Sequence, residues 1–197
     1  LPLGSTVTTI PGDIAVIDTL SRVVTSRVPV GIAPLFVAIS PDGNQLAVGN
    51  YGSDSMTLID TTTSVAQTYP VSQGAFGVAF SPDNKQVYVS AGHSPLIDRA
   101  PGSEKLTNDS HNALSILDIA SGEVTKSIPV DDDPTGVAVD RNGTIYVAQG
   151  SFPSVARLDP VTFQVSSIGI PALAKPLDTK AALSNTKADP SKRKAAR

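Results

Sequence analysis

The chain has 197 residues, a formal net charge of −3 at pH 7, and neither cysteine nor tryptophan. That length suits one domain with a real core, and the missing cysteine excludes a disulfide framework, a thiolate metal site and a cysteine nucleophile. Residues 1–174 carry 8 basic and 16 acidic side chains and residues 175–197 carry 7 and 2, so the acidic body does not suit phosphate backbones and no nucleic-acid partner is expected.

The apolar runs are strand-length, so no membrane span is expected. No signal peptide stands at the N-terminus, as in a mature secreted chain. The chain begins at Leu1 rather than Met, and it reads as a processed product or a piece of something longer.

In chain order, Thr6 to Ile10, Asp13 to Asp18 and Arg22 to Val28 alternate apolar and polar residues as three strands do. The next stretch, Pro34 to Val71, is the template that the later units copy. Its strands are expected at Phe36 to Ser40, Gln45 to Gly49, Met56 to Asp60 and Val65 to Pro70, with Pro, Gly, Asn and Asp at the joints. Val37-Ala38 recurs as Val78-Ala79 and Val137-Ala138, and Ser40-Pro41-Asp42-Gly43 recurs as Ser81-Pro82-Asp83-Asn84 and, degenerately, as Asp140-Arg141-Asn142-Gly143. Ile59-Asp60 is anticipated by Ile17-Asp18 and repeated as Leu117-Asp118 and Leu158-Asp159, at successive spacings of 42, 58 and 41 residues. The long spacing is one period plus an insertion.

A period near 40 residues with several short strands per unit marks a propeller blade, because one small sheet cannot bury both of its faces alone. The fold expected is an all-β propeller of about four blades, each of four antiparallel strands, occupying residues 1–170. The first blade lacks its innermost strand, for which Pro171 to Asp178 is the C-terminal candidate. A common seven-bladed ring would need about 290 residues at about 41 per blade. The chain is therefore read as part of a larger ring, with further blades from the same parent protein or another chain. Residues 171–197, rich in Ala, Lys, Ser and Asn, read as a basic, flexible C-terminal tail.

The motifs Val-Ala-Ile-Ser-Pro-Asp-Gly at 37–43, Val-Tyr-Val-Ser at 87–90, Ile-Tyr-Val-Ala at 145–148 and the Ile-Asp-Thr ends at 17–19 and 59–61 resemble the YVTN-type β-propeller repeats of bacterial and archaeal surface and secreted proteins. The last unit, Pro134 to Asp140, is also similar to the NHL repeat. The resemblance covers roughly Thr6 to Ile170. It implies a repeat protein that is extracellular, periplasmic or on the cell surface, and it permits scaffolds, binders and some enzymes, including lactonase-like ones.

The departure from the repeat is the insertion from Gly92 to Asn112, which holds both histidines. A loop that long is uncommon in a compact domain unless it is functional or disordered. In propeller topology it opens on the same face as the connection Val130-Asp131-Asp132-Asp133-Pro134. His93, Asp98, Arg99, Asp109 and His111 are therefore the candidate ligand-binding residues, and Asp131, Asp132 and Asp133 the candidate metal ligands. Three adjacent carboxylates favour calcium among metals, whereas the histidines would favour zinc. The simpler reading is a solvated acidic loop beside the insertion. Tyr51 and Asp54 in the template blade, and Phe152 in the last, are explained by turn chemistry or packing.

No Gly-x-Ser-x-Gly elbow, His-Glu-x-x-His or phosphate-binding glycine loop is present, so enzymatic readings rest on the insertion alone. The sequons at Asn108 and Asn142 match what seven asparagines give by chance. The expected function is a non-catalytic scaffold or binding module for a protein or small-molecule ligand, acting through its loop face. The alternative is a lactonase-like or metal-assisted hydrolase using His93 or His111 with acidic loop residues. Carbohydrate binding would want exposed aromatics repeating from blade to blade, and the sequence shows no such series.

Overall fold

A computed structural model describes residues 10–92, 112–131, 133–150 and 154–170. These residues form fourteen strands, numbered β1 to β14, and no α-helix. The template blade pairs β3 (Pro34–Ile39), β4 (Gln45–Asn50), β5 (Ser55–Asp60) and β6 (Ala66–Pro70) in sequence order. The third blade is β7 (Ala75–Phe80), β8 (Gln86–Ala91), β9 (Ala113–Asp118) and β10 (Glu123–Pro129). The fourth is β11 (Pro134–Val139), β12 (Ile145–Gln149), β13 (Ser154–Leu158) and β14 (Val165–Gly169). All pairings are antiparallel, so the chain is an all-β propeller arc.

The first blade contributes two described strands, β1 (Pro11–Asp18) and β2 (Val23–Ile32), paired only with each other. They are the expected third and fourth strands, and β2 runs further than the expected end at Val28. Of the expected second strand, only Ile10 is described, and it lies in a bend. Residues 171–178, the candidate innermost strand, and the rest of the 171–197 tail lie outside the described residues.

Alternation along each strand sends successive side chains to opposite faces, and in a blade both faces are buried. Val87 and Val89 of β8, with Leu117, join Ala47, Met56, Leu58 and Phe80 in the core between the second and third blades. Tyr88, one residue out of phase, joins Leu114, Ile116, Ile145, Val147, Ala156 and Leu158 between the third and fourth. A smaller cluster of Val28, Val30, Val48 and Ile59 ties the first blade to the second. Burying one such side chain stabilises by about 1.5–3 kcal/mol. These clusters, rather than the strand propensities, hold the blades face to face.

Two kinds of tight turn close the second, third and fourth blades on the face opposite the loop face, and the outer kind also closes β1 on β2. Between the two inner strands, Ser40 Oγ accepts from Gln45 N (2.9 Å) and donates to Asp42 Oδ1 (2.6 Å). Ser81, Asp83 and Gln86 repeat this pattern at 2.9 and 2.7 Å. The fourth blade replaces the serine with Asp140, whose Oδ1 accepts directly from Asn142 N and Thr144 N. Gly43, Asn84 and Gly143 occupy the left-handed position of this turn, at φ of 78°, 59° and 85°, which is why glycine or asparagine stands there. In the outer hairpins the repeated Ile-Asp step ends on a carboxylate that caps the turn. Asp18 accepts from Ser21, Asp60 from Thr63, Asp118 from Ser121 and Asp159 from Thr162, each on a backbone N–H and a hydroxyl.

These bonds favour the ionised form. The Ser21 hydroxyl, the Thr63 and Ser121 amides and the Thr162 amide hold Asp18, Asp60, Asp118 and Asp159 below the usual carboxylate value, and the Ser40 and Ser81 hydroxyls do the same for Asp42 and Asp83. A carboxylate whose folded pKa lies below its unfolded one supplies stability that is present above about pH 4 and lost as pH falls through the folded value. The urea midpoint is therefore expected to stay level from pH 7 to about pH 5 and to drop steadily below about pH 4. A midpoint at pH 3 equal to that at pH 7 would show that these turn carboxylates contribute nothing.

Candidate functional site

At the loop face, each loop between the second and third strands of a blade starts with the same backbone bond. Tyr51 N donates to Ala33 O (3.0 Å), Gly92 N to Gly74 O (3.2 Å) and Gly150 N to Asp133 O (2.8 Å). The acceptor is always the residue just before the innermost strand, and all three are left-handed, at φ of 49°, 73° and 56°. The loop is thereby stitched to the connection that enters its own blade.

The next connection is equally close. In the second blade, the strand β4 leads into a 3₁₀ turn, Tyr51–Ser53, capped by left-handed Asp54. Asp54 Oδ1 accepts from Gly74 N (2.8 Å) and Asp54 O from Val71 N (3.0 Å), so this loop pins the connection into the third blade. The turn role expected for Asp54 therefore holds, and it spans two blades.

In the third blade the corresponding loop is the insertion, of which Gly92 and Asn112 are described. A side chain built on Gly92 would run into Asn112 Oδ1 and the Pro134 ring, 2.7 Å from its Cδ. Asn112 O accepts from Val130 N (3.1 Å). Both roots of the insertion thus lie against the connection into the fourth blade, as propeller topology requires. His93, Asp98, Arg99, Asp109 and His111 lie outside the described residues, as do Asp132 and Phe152.

The two described members of the acidic run part company. Asp131 is exposed, whereas Asp133 is 6% exposed and its carboxylate lies against Gly150 at the start of the next loop. Asp133 is left-handed and adjoins Pro134, so the backbone turns sharply there and sends its side chain inward. Among the described residues, no three His, Asp or Glu side chains gather where one metal ion would fit.

The loop face also carries an aromatic group that no sequence motif announces. The Phe36 and Phe76 rings lie 4.8 Å apart, and Tyr51 meets Phe76 edge-on at 6.3 Å. Phe36 remains 44% exposed. Tilted and edge-to-face pairs of this kind are favourable packing, and their open edges offer a contact for an apolar ligand group. The group is invisible in the sequence because Phe36 and Phe76 stand at different repeat positions and meet only across two blades.

Two buried amides mark the same end of the sheets. Asn50 Nδ2 donates to Thr57 Oγ1 (2.9 Å), and Gln149 Oε1, at the equivalent place, accepts from Ser154 Oγ (2.6 Å). Asn50 Oδ1 and Gln149 Nε2 have no partner among the described residues.

On the opposite face a cleft of about 270 Å³ runs between the third and fourth blades, lined by Pro82, Asp83, Tyr88, Arg141 and Pro160 among others. Burial, with a smaller push from Asp83, raises the Tyr88 hydroxyl pKa. That hydroxyl donates to Gln86 Oε1 (3.0 Å), and Ser81 and Asp83 are committed to their turn. The cleft is a seam between blades in which Ser81, Asp83, Gln86 and Tyr88 are bonded to one another within the third blade.

No protein-family model and no curated protein matches the chain. Among solved structures it is similar to hydrazine synthase of Kuenenia stuttgartiensis, with a TM-score of 0.67 and 25% identity over 80% of this chain and 43% of that one. A protein of unknown function from Desulfotomaculum acetoxidans gives 0.62 and 16% over 80% and 47%. Virginiamycin B lyase from Staphylococcus aureus gives 0.58 and 10% over 82% and 50%. The chain spans half or less of the length of these structures. What they share with it is the β-propeller fold.

Proposed function

We propose that this chain is an extracytoplasmic propeller module of the YVTN type, with an NHL-like last unit, that binds a protein or small-molecule ligand through its loop face. The observation that carries the reading is the rooting of the insertion: Gly92 and Asn112 lie against Val130 and Pro134. The segment bearing His93, Asp98, Arg99, Asp109 and His111 is thereby anchored at both ends beside the run Asp131 to Asp133, on the face that also bears Phe36, Phe76 and Tyr51. Blades supply a rigid scaffold and loops supply the chemistry. Enzymes and binders share this fold, so the names of the structural neighbours decide nothing about catalysis here.

Calcium is the proposed ion, because the run of carboxylates offers the oxygen donors it prefers. Calorimetric titration of calcium chloride into the full chain is expected to give saturable heat. Asp131→Ala/Asp133→Ala is expected to abolish it, and His93→Ala/His111→Ala to leave it. Heat from zinc alone, lost in the histidine variant, would favour the metal-assisted hydrolase instead. Absence of any ion-binding heat, with unchanged thermal stability in both variants, would reduce the patch to a solvated loop.

A further inference from the structure

Three aromatic residues depart from the repeat and come together in one place. Phe36 stands where the third and fourth blades carry Gly77 and Gly136, each just before the shared Val-Ala step. Tyr51 stands where they carry Gly92 and Gly150, the three residues that donate to the start of their own blades. Phe76 replaces Leu35 of the second blade and Thr135 of the fourth. Two blades close with glycine at the first two positions, so a blade needs no ring at either.

The rings meet in a seam whose two blades are both described in full apart from the insertion. Phe36 lies on the same side of β3 as Ala38, which packs into the core between the second and third blades, whereas Val37 and Ile39 point the other way. Phe36 pairs across the ladder with Gly49, and the missing side chain there lets the Phe76 carbonyl come close. The Phe36 ring thus lies tilted by 39° against Phe76, and Tyr51 meets Phe76 at 87°. The Tyr51 ring packs on Gly74, 3.3 Å from where a Cβ would stand. Phe36 is nevertheless 44% exposed, and Phe76 and Tyr51 are half-buried. A group of open rings at places where glycine would serve points to a contact outside the fold.

The surroundings set the charge of the ligand. Exposed Asp54 caps the 3₁₀ turn that carries Tyr51, and its Oδ1 accepts from the N–H of Gly74, the residue on which the Tyr51 ring packs. Asp131 and Asp133 stand on the same face. The described basic side chains lie elsewhere: Arg22, Lys85 and Arg141 in turns of the opposite face, and Arg27, Lys126 and Arg157 along the strands. The potential over the loop face therefore favours cations. Aromatic faces add to this, since their quadrupole attracts positive charge and their shape suits a stacked flat ring. We infer that Phe36, Phe76 and Tyr51, beside Asp54, form a binding site for a flat aromatic cation. The inference rests on the loop-face reading above and gives it a ligand class at the seam between the second and third blades, apart from the calcium ion proposed at the next seam.

The test is the fluorescence anisotropy of proflavine, a flat tricyclic cation, titrated with the full chain at neutral pH. Anthracene-9-carboxylate, of similar shape and opposite charge, is the control. A saturable rise is expected with proflavine, and the anion is expected to bind about tenfold more weakly. Phe36→Gly and Tyr51→Gly restore the residue that the other blades use, and each is expected to weaken proflavine binding about tenfold with an unchanged β-sheet circular dichroism spectrum. Where glycine at position 36 disturbs the sheet, Phe36→Leu keeps the apolar bulk and is expected to show the same loss. Asp54→Asn keeps an acceptor for Gly74 N and removes the charge. It is expected to weaken proflavine about threefold and to strengthen the anion, a change of preference that a structural role alone would not produce. Absence of saturable proflavine binding, equal affinity for the two dyes, or proflavine binding unchanged in both Phe36→Leu and Asp54→Asn would each overturn the inference. Calcium heat in a wild type that does not bind proflavine would remove the aromatic site and leave the ion site standing, and proflavine binding without calcium heat would do the reverse.

Discussion

Leu114→Ala is expected to destabilise the chain by about 3 kcal/mol, within the 2–5 kcal/mol range of large-to-small core changes. Leu114 is fully buried in the seam between the third and fourth blades, among Tyr88, Ile116, Ile145, Val147, Ala156 and Leu158. Strand backbones bonded on both sides hold that seam open, so the void cannot collapse, and the loss includes a cavity term as well as the transfer term. In a repeat array each unit leans on its neighbours, and among the described residues the fourth blade packs against the third through this seam. Urea unfolding followed by circular dichroism should show a lower midpoint and a broadened transition as the last blade separates first. A shift under about 1 kcal/mol would mean that the seam is not packed as described.

Gly77→Ala is expected to cost about 2–3 kcal/mol, at the upper end of the usual penalty for overfilling a packed core. The added methyl meets the Thr135 carbonyl and Val137 N, at 2.9 Å from the latter, together with Ser90 Oγ at 3.0 Å. Two of the three obstacles are backbone of the neighbouring blade, so relief requires moving a whole strand. Ser90 Oγ also accepts from Gly77 N (2.9 Å) and donates to Thr135 O, and the same displacement would break that inter-blade bridge. Thermal melts of Gly77→Ala should therefore fall by several degrees. An unchanged melting temperature would show that the blades slide past one another freely.

The two roots of the insertion, Gly92 and Asn112, lie at the seam between the third and fourth blades. The aromatic group of Phe36, Phe76 and Tyr51 lies between the second and third blades.

Local residue order is enough for every feature that depends on neighbours a few positions away. The Ser-Pro-Asp-Gly turns, the Ile-Asp hairpin ends and the fourfold strand rhythm are legible in the sequence because each is closed by hydrogen bonds spanning two to five residues. Those bonds need only the right side chains in the right order. Most strand ends shift by one or two positions from expectation, as at Pro34 and Ser55, and the end of β2 by four, because the last pairings are made by backbone that any residue provides. The place of the insertion roots is also legible, since repeat topology dictates it.

Which face of a strand meets which blade is settled only when the blades come together. Val37 and Val78 stand in the same motif, yet one is exposed and the other buried, because burial depends on a neighbouring blade some forty residues away. Asp131 and Asp133 are two residues apart in one acidic run, yet one points to solvent and the other turns inward at a left-handed backbone position. Asp54 looks like ordinary turn chemistry and serves as a tie between blades. Each of these outcomes is set by contacts across a seam, where the energy comes from surfaces brought together by the fold.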